Sequence, residues 1–259
     1  MDLGIAGRKA IVCASSRGLG KACAMALAEA GVEVVINGRD AKTVEATAAE
    51  IAKATGVKTH AVVADVATAE GQKALFAACP DPDILVNNNG GPPPRDFREL
   101  TREMILDGVV ANMVVAIELT QKVIDKMAER RFGRIVNITS SSVKAPLAGL
   151  DLSSGARAGL TAFFAGVART VADKNVTINS IQPGAFDTDR LKGILAGTAT
   201  RTGKSVDEAA AARKATIPAK RFGTPEEFGA ACAFLCSAQA GYITGQNLLI
   251  DGGTIPTAF

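Results

Sequence analysis

The chain has 259 residues, 47% of them hydrophobic and only 4% aromatic, and a formal net charge of +3. That size suits one large α/β domain, the composition excludes disorder, and the small charge excludes a surface built for nucleic acid. The five cysteines, Cys13, Cys23, Cys79, Cys232 and Cys236, are odd in number and form no Cys-x-x-Cys pair, which argues against a disulfide framework or a zinc site.

Short β-branched runs alternate with Ala-rich amphipathic stretches, the pattern of strand–helix–strand units and a parallel sheet. In chain order, strands at 9–13, 33–36 and 58–63 are each followed by a helix, at 19–30, 43–55 and 68–78. A fourth strand at 84–86 leads to Gly90-Gly91-Pro92-Pro93-Pro94, a stiff loop at the sheet's carboxyl edge, and then to one long helix at 109–130. The basic stretch Arg130-Arg131-Phe132-Gly133-Arg134 reads as a helix end and a turn before the fifth strand, 134–138. A helix at 155–173, a strand at 177–181, a helix at 225–237 and a strand at 247–250 complete a Rossmann-type, doubly wound sheet of seven strands in a single domain, 1–259. Thr224, Pro225 and Glu227 mark the start of the last helix with a capping box. The segment 187–215 is small, polar and of mixed charge, and reads as irregular; a mobile substrate lid and a surface helix pair without function are both open readings. No apolar run approaches the roughly 20 residues a membrane helix needs, and Asp2, Arg8 and Lys9 stand where a signal peptide would be apolar. With its reduced thiols, the expectation is a cytoplasmic protein with no membrane partner.

After the first strand, Cys13-Ala14-Ser15-Ser16-Arg17-Gly18-Leu19-Gly20 leads into a helix. Glycines there let backbone amides approach a pyrophosphate, and a helix N-terminus favours negative charge. Asp65-Val66 ends the third strand and Asn87-Asn88-Asn89-Gly90 the fourth, at the same edge. Together with Asn112, Ser140, Asn179, Pro183-Gly184 and Asp251-Gly252-Gly253, these segments resemble the short-chain dehydrogenase/reductase family over nearly the whole chain, closest to its 3-oxoacyl-acyl-carrier-protein reductase branch. The resemblance implies a dinucleotide held by Ser15, Ser16, Arg17, Gly18, Leu19, Gly20, Asp65, Val66, Asn88, Asn89, Gly90, Pro183, Gly184 and Thr188. Two places depart from the family pattern: Cys13-Ala14 replaces Thr-Gly at the head of the glycine loop, and Asn89 replaces an alanine beside the expected ribose. After the second strand, Asn37-Gly38-Arg39 offers a guanidinium in place of a carboxylate. With Arg17 it points to a 2′-phosphate, hence NADP(H) over NAD(H); two solvated surface arginines are the other reading.

In the family this chain resembles, a tyrosine exchanges the substrate proton, a lysine binds ribose and lowers the tyrosine pKa, a serine orients the substrate oxygen, and an asparagine supports a relay water. Ser140 matches that serine and Asn112 that asparagine. At the tyrosine and lysine places stand Ser153 and Arg157, within Ser153-Ser154-Gly155-Ala156-Arg157-Ala158-Gly159-Leu160. A positioned general acid contributes about 10²–10⁴-fold, and a serine hydroxyl is much less acidic than a tyrosine. Arg157 can hold ribose hydroxyls, but its high pKa makes it a poor proton donor. Ser141 and Ser142 read as satisfying loop backbone, and Tyr242 and His60, the only tyrosine and the only histidine, as structural. No metal-ligand set is visible.

Two functions remain open. One is an NADP(H)-dependent oxidoreductase acting on a small-molecule or acyl-thioester substrate, with Ser153 or a water relaying the proton. The other is a catalytically silent NADP(H)-binding protein with a regulatory or partner-binding role; the Ser-x-x-x-Arg pattern and the proline loop resemble a divergent subgroup with an incomplete catalytic set. Gly155, Gly159, Ala162 and Gly166 give one helix a small-residue face, and the resemblance implies that it pairs across a two-fold axis in a dimer of dimers; packing on its own sheet is the alternative.

Overall fold

The computed structural model describes residues 2–256. Seven strands form one parallel sheet: β1 (Lys9–Val12), β2 (Glu33–Gly38), β3 (Thr59–Val63), β4 (Ile84–Asn87), β5 (Gly133–Ile138), β6 (Val176–Pro183) and β7 (Asn247–Ile250). Their spatial order is β3-β2-β1-β4-β5-β6-β7. The order reverses between β1 and β4, and ligands of open α/β sheets bind at the carboxyl ends of the strands beside such a reversal. The doubly wound fold expected from the alternating runs is the one observed.

Both sheet faces are apolar because side chains alternate along each strand. Ala10 and Val12 of β1 join one core with Val34 and Ile36 of β2, whereas Ile11 and Val35 join the opposite core. The first face is covered by α1 (Gly18–Glu29), α2 (Ala41–Thr55) and α9 (Pro225–Leu235) through Leu27, Ile51 and Phe228. The second is covered by α3 (Ala69–Ala78), α5 (Val115–Glu129) and α6 (Asp151–Val171) through Leu75, Leu119, Met127 and Phe164. At the start of α9, Thr224 accepts from the Glu227 amide and the Glu227 carboxylate accepts from the Thr224 amide, the reciprocal cap expected there.

Three expectations need correction. The long helix at 109–130 is interrupted: α4 (Arg102–Val109) passes through a π-helical turn, Val110–Val114, before α5 begins. The next helix starts at Asp151, earlier than expected, so Ser153 lies inside α6 with Arg157 one turn on. The segment 187–215 is not irregular; it forms a helix pair, α7 (Asp189–Thr202) and α8 (Val206–Ala215), joined by a left-handed Gly203 and packed through Leu191, Leu195, Ala199 and Ala209.

The arginines of the basic stretch are occupied by the fold. Arg130 donates to the Pro82 carbonyl, Arg131 to that of Asp173, and buried Arg134 to the carbonyls of Ser237 and Asn175. His60 pairs with Glu33 at 2.6 Å on the sheet edge, and this bond holds the Glu33 carboxyl below its ordinary range. Tyr242, read as structural, is fully exposed and precedes β7 at the opposite edge from the strands' carboxyl ends.

Candidate active site

The carboxyl ends of β1, β4, β5 and β6 converge on one region, and the predicted residues divide there into a nucleotide end and a chemical end. At the nucleotide end the chain leaves β1 through Ala14, whose φ of +44° is left-handed. This is one of the two places that depart from the family pattern, and a side chain in that conformation strains the turn. Ser15 faces inward, its amide donating to the Asn37 carbonyl and its hydroxyl to Val12, while it accepts from the Asn37 amide. Its amide and hydroxyl are thus engaged with β1 and β2. Cys13 is fully buried, and burial pushes its thiol up to about 12.

Arg17 stands at the N-cap of α1 in extended conformation with no side-chain cap, so the first-turn amides of Gly18, Leu19 and Gly20 are left for another acceptor. Gly20 is required sterically: a Cβ there would stand 2.3 Å from the Ala14 carbonyl oxygen and 2.8 Å from Asn88 Nδ2. Asn88 donates to that same carbonyl at 3.1 Å and ties the loop to β4. Ser16 lies against Gly38 at the end of β2, and beyond it Arg39 is 80% exposed, 3.8 Å from the Asp65 carboxylate. Arg17 lies close enough to Asp40 to help hold its carboxyl low, after the Thr43 hydrogen bonds. Both arginines therefore sit at the β2 end of the loop. Val66 is buried, and Asp65 turns one oxygen to the Ala67 amide. On the other side Gly184, after Pro183, donates to Ile250, and Thr188 caps α7 with its methyl 3.9 Å from where a Gly18 Cβ would lie. The N-termini of α1 and α7 thus flank one opening.

At the chemical end, Ser140 closes β5 and accepts the Ser142 amide at 3.1 Å. Asn112 lies in the π-turn, a geometry common at functional positions. Its side-chain amide donates to the Gly108 carbonyl at 3.0 Å, and its Oδ1 is buried without a partner among the described residues. Asn89, the other departure from the family pattern, donates to the Ala111 carbonyl of the same turn at 3.2 Å and accepts the Gly90 amide at 2.8 Å. Two asparagine amides thereby hold carbonyls beside the turn.

Arg157 is the largest surprise. Expected as a charged group able to hold ribose hydroxyls, it is buried: Nη1 donates to Ile138 at 2.7 Å and Thr139 at 3.2 Å, Nη2 to the Asn89 carbonyl at 3.5 Å, and Nε to the Ser153 hydroxyl at 3.3 Å. Burial, with a smaller contribution from Arg190, pulls its pKa down to about 10. A cavity of about 20 Å³, enough for one water, lies among Asn88, Asn112 and Arg157 and includes Asn87, whose Oδ1 is also unpartnered.

Ser153 and Asn112 also face a larger cleft of about 330 Å³. Its walls are the Gly90–Pro93 loop, Met104 and Asp107 of α4, and Gly149, Leu150 and Leu152. The Arg95 amide, bonded to the Gly149 carbonyl at 2.9 Å, joins the proline loop to the loop before α6. Gly108 permits α4 to approach α6 so closely that a Cβ there would meet Leu152 at 2.5 Å. Among the described residues no helix is long and apolar enough to cross a membrane, and no group of three metal-ligating side chains is assembled.

Residues 13–254 match the family model described as Enoyl-(Acyl carrier protein) reductase. The 3-oxoacyl-acyl-carrier-protein reductase FabG of Aquifex aeolicus (strain VF5) is 34% identical over 257 residues, covering 98% of this chain and 99% of its own. The NADPH-dependent reductase BacG of Bacillus subtilis (strain 168) is 30% identical over 253 residues, covering 96% and 98%. The L-sorbose reductase of Gluconobacter frateurii, solved with NADPH and L-sorbose, superposes with a TM-score of 0.94 at 29% identity, over 99% of this chain and 100% of that one. A parallel sheet reversing between β1 and β4, a capless glycine-rich turn into α1 and relatives matched end to end place the chain in the short-chain dehydrogenase/reductase family.

Proposed function

We propose that the chain is an NADP(H)-dependent oxidoreductase that reduces a carbonyl group, with Ser153 and Arg157 in place of the family's tyrosine and lysine. The observation that carries this reading is the bond from Arg157 Nε to Ser153 Oγ. Because Ser153 accepts from a cation, its own hydrogen is free to be donated into the cleft.

The dinucleotide fits the residues present. The uncapped amides of α1 suit its diphosphate, the bare Cα of Gly20 leaves the approach open, and exposed Arg39 with Arg17 suits a 2′-phosphate in preference to a free hydroxyl. When bound, it supplies the hydride. Ser140 orients the substrate oxygen, and Ser153 donates its proton to that oxygen as charge develops there. Arg157 stabilises the developing negative charge through Ser153, from a buried position where electrostatics are strong. Asn112, with its unpartnered Oδ1 beside the small cavity, holds a water that returns the proton to Ser153. With a serine as the immediate donor, turnover is slow compared with a tyrosine enzyme, by about 10²–10⁴-fold. The α7–α8 pair acts as the lid, and the exposed face of α6 around Gly155, Ala162 and Gly166 as a subunit contact.

The test is NADPH oxidation with a panel of ketones and 3-oxoacyl thioesters, on the natural chain beside Ser153→Tyr/Arg157→Lys. Turnover by the natural chain supports the reading. A natural chain that binds NADPH but turns over nothing, beside an active double variant, overturns it in favour of a binding-only protein.

A further inference from the structure

Arg190 has no task in the fold. It is the second residue of α7, where the helix's partial positive charge disfavours a cation. Asp187 and Asp189 flank it in sequence, yet both approach Lys192, and Arg190 makes no hydrogen bond or ion pair among the described residues. Its guanidinium lies over Gly91, where a Cβ would stand 3.0 Å from Nη2 and 3.2 Å from Nη1. Gly91 is part of the wall of the 330 Å³ cleft that Ser153 faces.

Arg157 meets the same loop at the Asn89 carbonyl; among the described residues it is bonded only to carbonyls and a hydroxyl, with no carboxylate paired to it. The charge of Arg190 reaches it and adds to the effect of burial. Two guanidiniums thus lie against the Asn89–Gly91 segment, Arg157 at the Asn89 carbonyl and Arg190 over Gly91. A cation misplaced on its own helix, unpaired and held near a second cation breaks a local rule without structural gain, and such breaks concentrate at functional sites.

We infer that Arg190, supported by Arg157, binds a carboxylate of the substrate, so that the chain reduces free oxo acids in preference to their esters. This rests on the reductase reading above. Arg190 borders the cleft through Gly91 and is not itself in its wall; the charged residues that do line the cleft agree with a single anionic group. Arg95 is 3.7 Å from Glu99 and already paired, while Asp107, the one acid lining the cleft among the described residues, opposes a second negative charge. Pro92, Leu100, Met104 and Leu152 suit a short aliphatic body.

The experiment compares kcat/KM for 3-oxobutanoate and its methyl ester, in the natural chain, Arg190→Ala and Arg190→Lys. One charge-assisted hydrogen bond predicts an acid-over-ester ratio of roughly 10- to 100-fold. In Arg190→Ala the ratio falls toward one through KM, and Arg190→Lys recovers part of it. A second arm needs no turnover: calorimetric titration of the NADP⁺-loaded protein with 3-hydroxybutanoate and with its methyl ester. The acid binds the natural chain, and Arg190→Ala loses that binding. Equal efficiency on acid and ester, or acid binding indifferent to Arg190→Ala, overturns the inference while the reductase reading stands. Arg190-dependent acid binding without turnover on any carbonyl overturns the reductase reading and keeps the anion site. If Arg190→Ala weakens NADPH and leaves the acid unaffected, the arginine serves the cofactor's diphosphate and the inference falls.

Discussion

Arg157→Lys restores the residue expected from the family pattern and should nevertheless destabilise this protein. The guanidinium reaches four acceptors, the carbonyls of Ile138, Thr139 and Asn89 and the Ser153 hydroxyl, between 2.7 and 3.5 Å. A single ammonium without the guanidinium's fork keeps the two carbonyls at the end of β5 and loses Asn89 and Ser153. Those two contacts are long, so each is worth about 1 kcal/mol, below the roughly 1.5–3 of a well-formed bond to a charged group, and the loss sums to about 2 kcal/mol. A compact, strongly hydrated ammonium also resists burial more than a guanidinium does. For a chain of this size the midpoint of thermal unfolding drops by about 4–8 °C, checked alongside the urea midpoint at pH 7. An unchanged urea midpoint would show that the buried bonds contribute nothing and that Arg157 is a freely exchangeable cation. The same number bears on the Ser153→Tyr/Arg157→Lys variant, whose folded fraction should be measured before its turnover is interpreted.

Ala14→Gly relieves a left-handed alanine, and after the added freedom of the unfolded glycine it stabilises by about 0.5–1 kcal/mol in urea unfolding; a lower midpoint would contradict the strain. Arg39→Ala weakens NADPH binding roughly 5- to 10-fold and leaves NADH within about twofold, the loss being modest because the side chain is largely exposed. Equal weakening of both nucleotides in fluorescence titration would remove Arg39 from the 2′-phosphate. Glu227, bonded to Arg221 and to the Thr224 amide, has its carboxyl held down to about 2. A carboxyl lower in the folded state than the roughly 4.3 of the unfolded chain stabilises above that value and loses its contribution as pH falls toward 2. Stability of the natural chain should therefore fall more steeply than that of Glu227→Gln between about pH 4.5 and 2, and parallel curves would refute the assignment.

The sheet was legible because buried parallel strands are near-continuous apolar runs, and β1 to β6 fell within a residue or two of their expected places. What escaped depended on side-chain bonds that no periodicity records. Val109-Val110-Ala111-Asn112-Met113-Val114 is apolar but for Asn112 and shows no break in helical character, and the π-turn within it is visible only through the amides of Asn89 and Asn112. The start of α6 was hidden because Leu150 offers no side-chain cap. For α8 a signal was present and passed over: Ser205 and Glu208 form a capping box, but the surrounding residues are too polar to show a helical stripe. Ser140, Asn112, Ser153 and Arg157 were assigned through the family resemblance, and the burial of Arg157 was not readable, since a charged residue's usual place is the surface. Arg190 was missed because nothing in its sequence neighbourhood distinguishes it from a solvated charge.

The contact between α1 and α9 sets a timetable for the newborn chain. Gly229 of α9 lies so close to α1 that a Cβ there would stand 2.4 Å from the Ala22 carbonyl oxygen, and Cys232 touches Cys23. These partners are separated by about 200 residues of sequence, a long-range closure that is slow to form. At ribosomal speeds of about 5–20 residues per second, the nucleotide helix waits roughly 10–40 s for the segment that covers it. Until then its flank is open to chaperones, and a truncated chain ending before α9 keeps that exposure permanently.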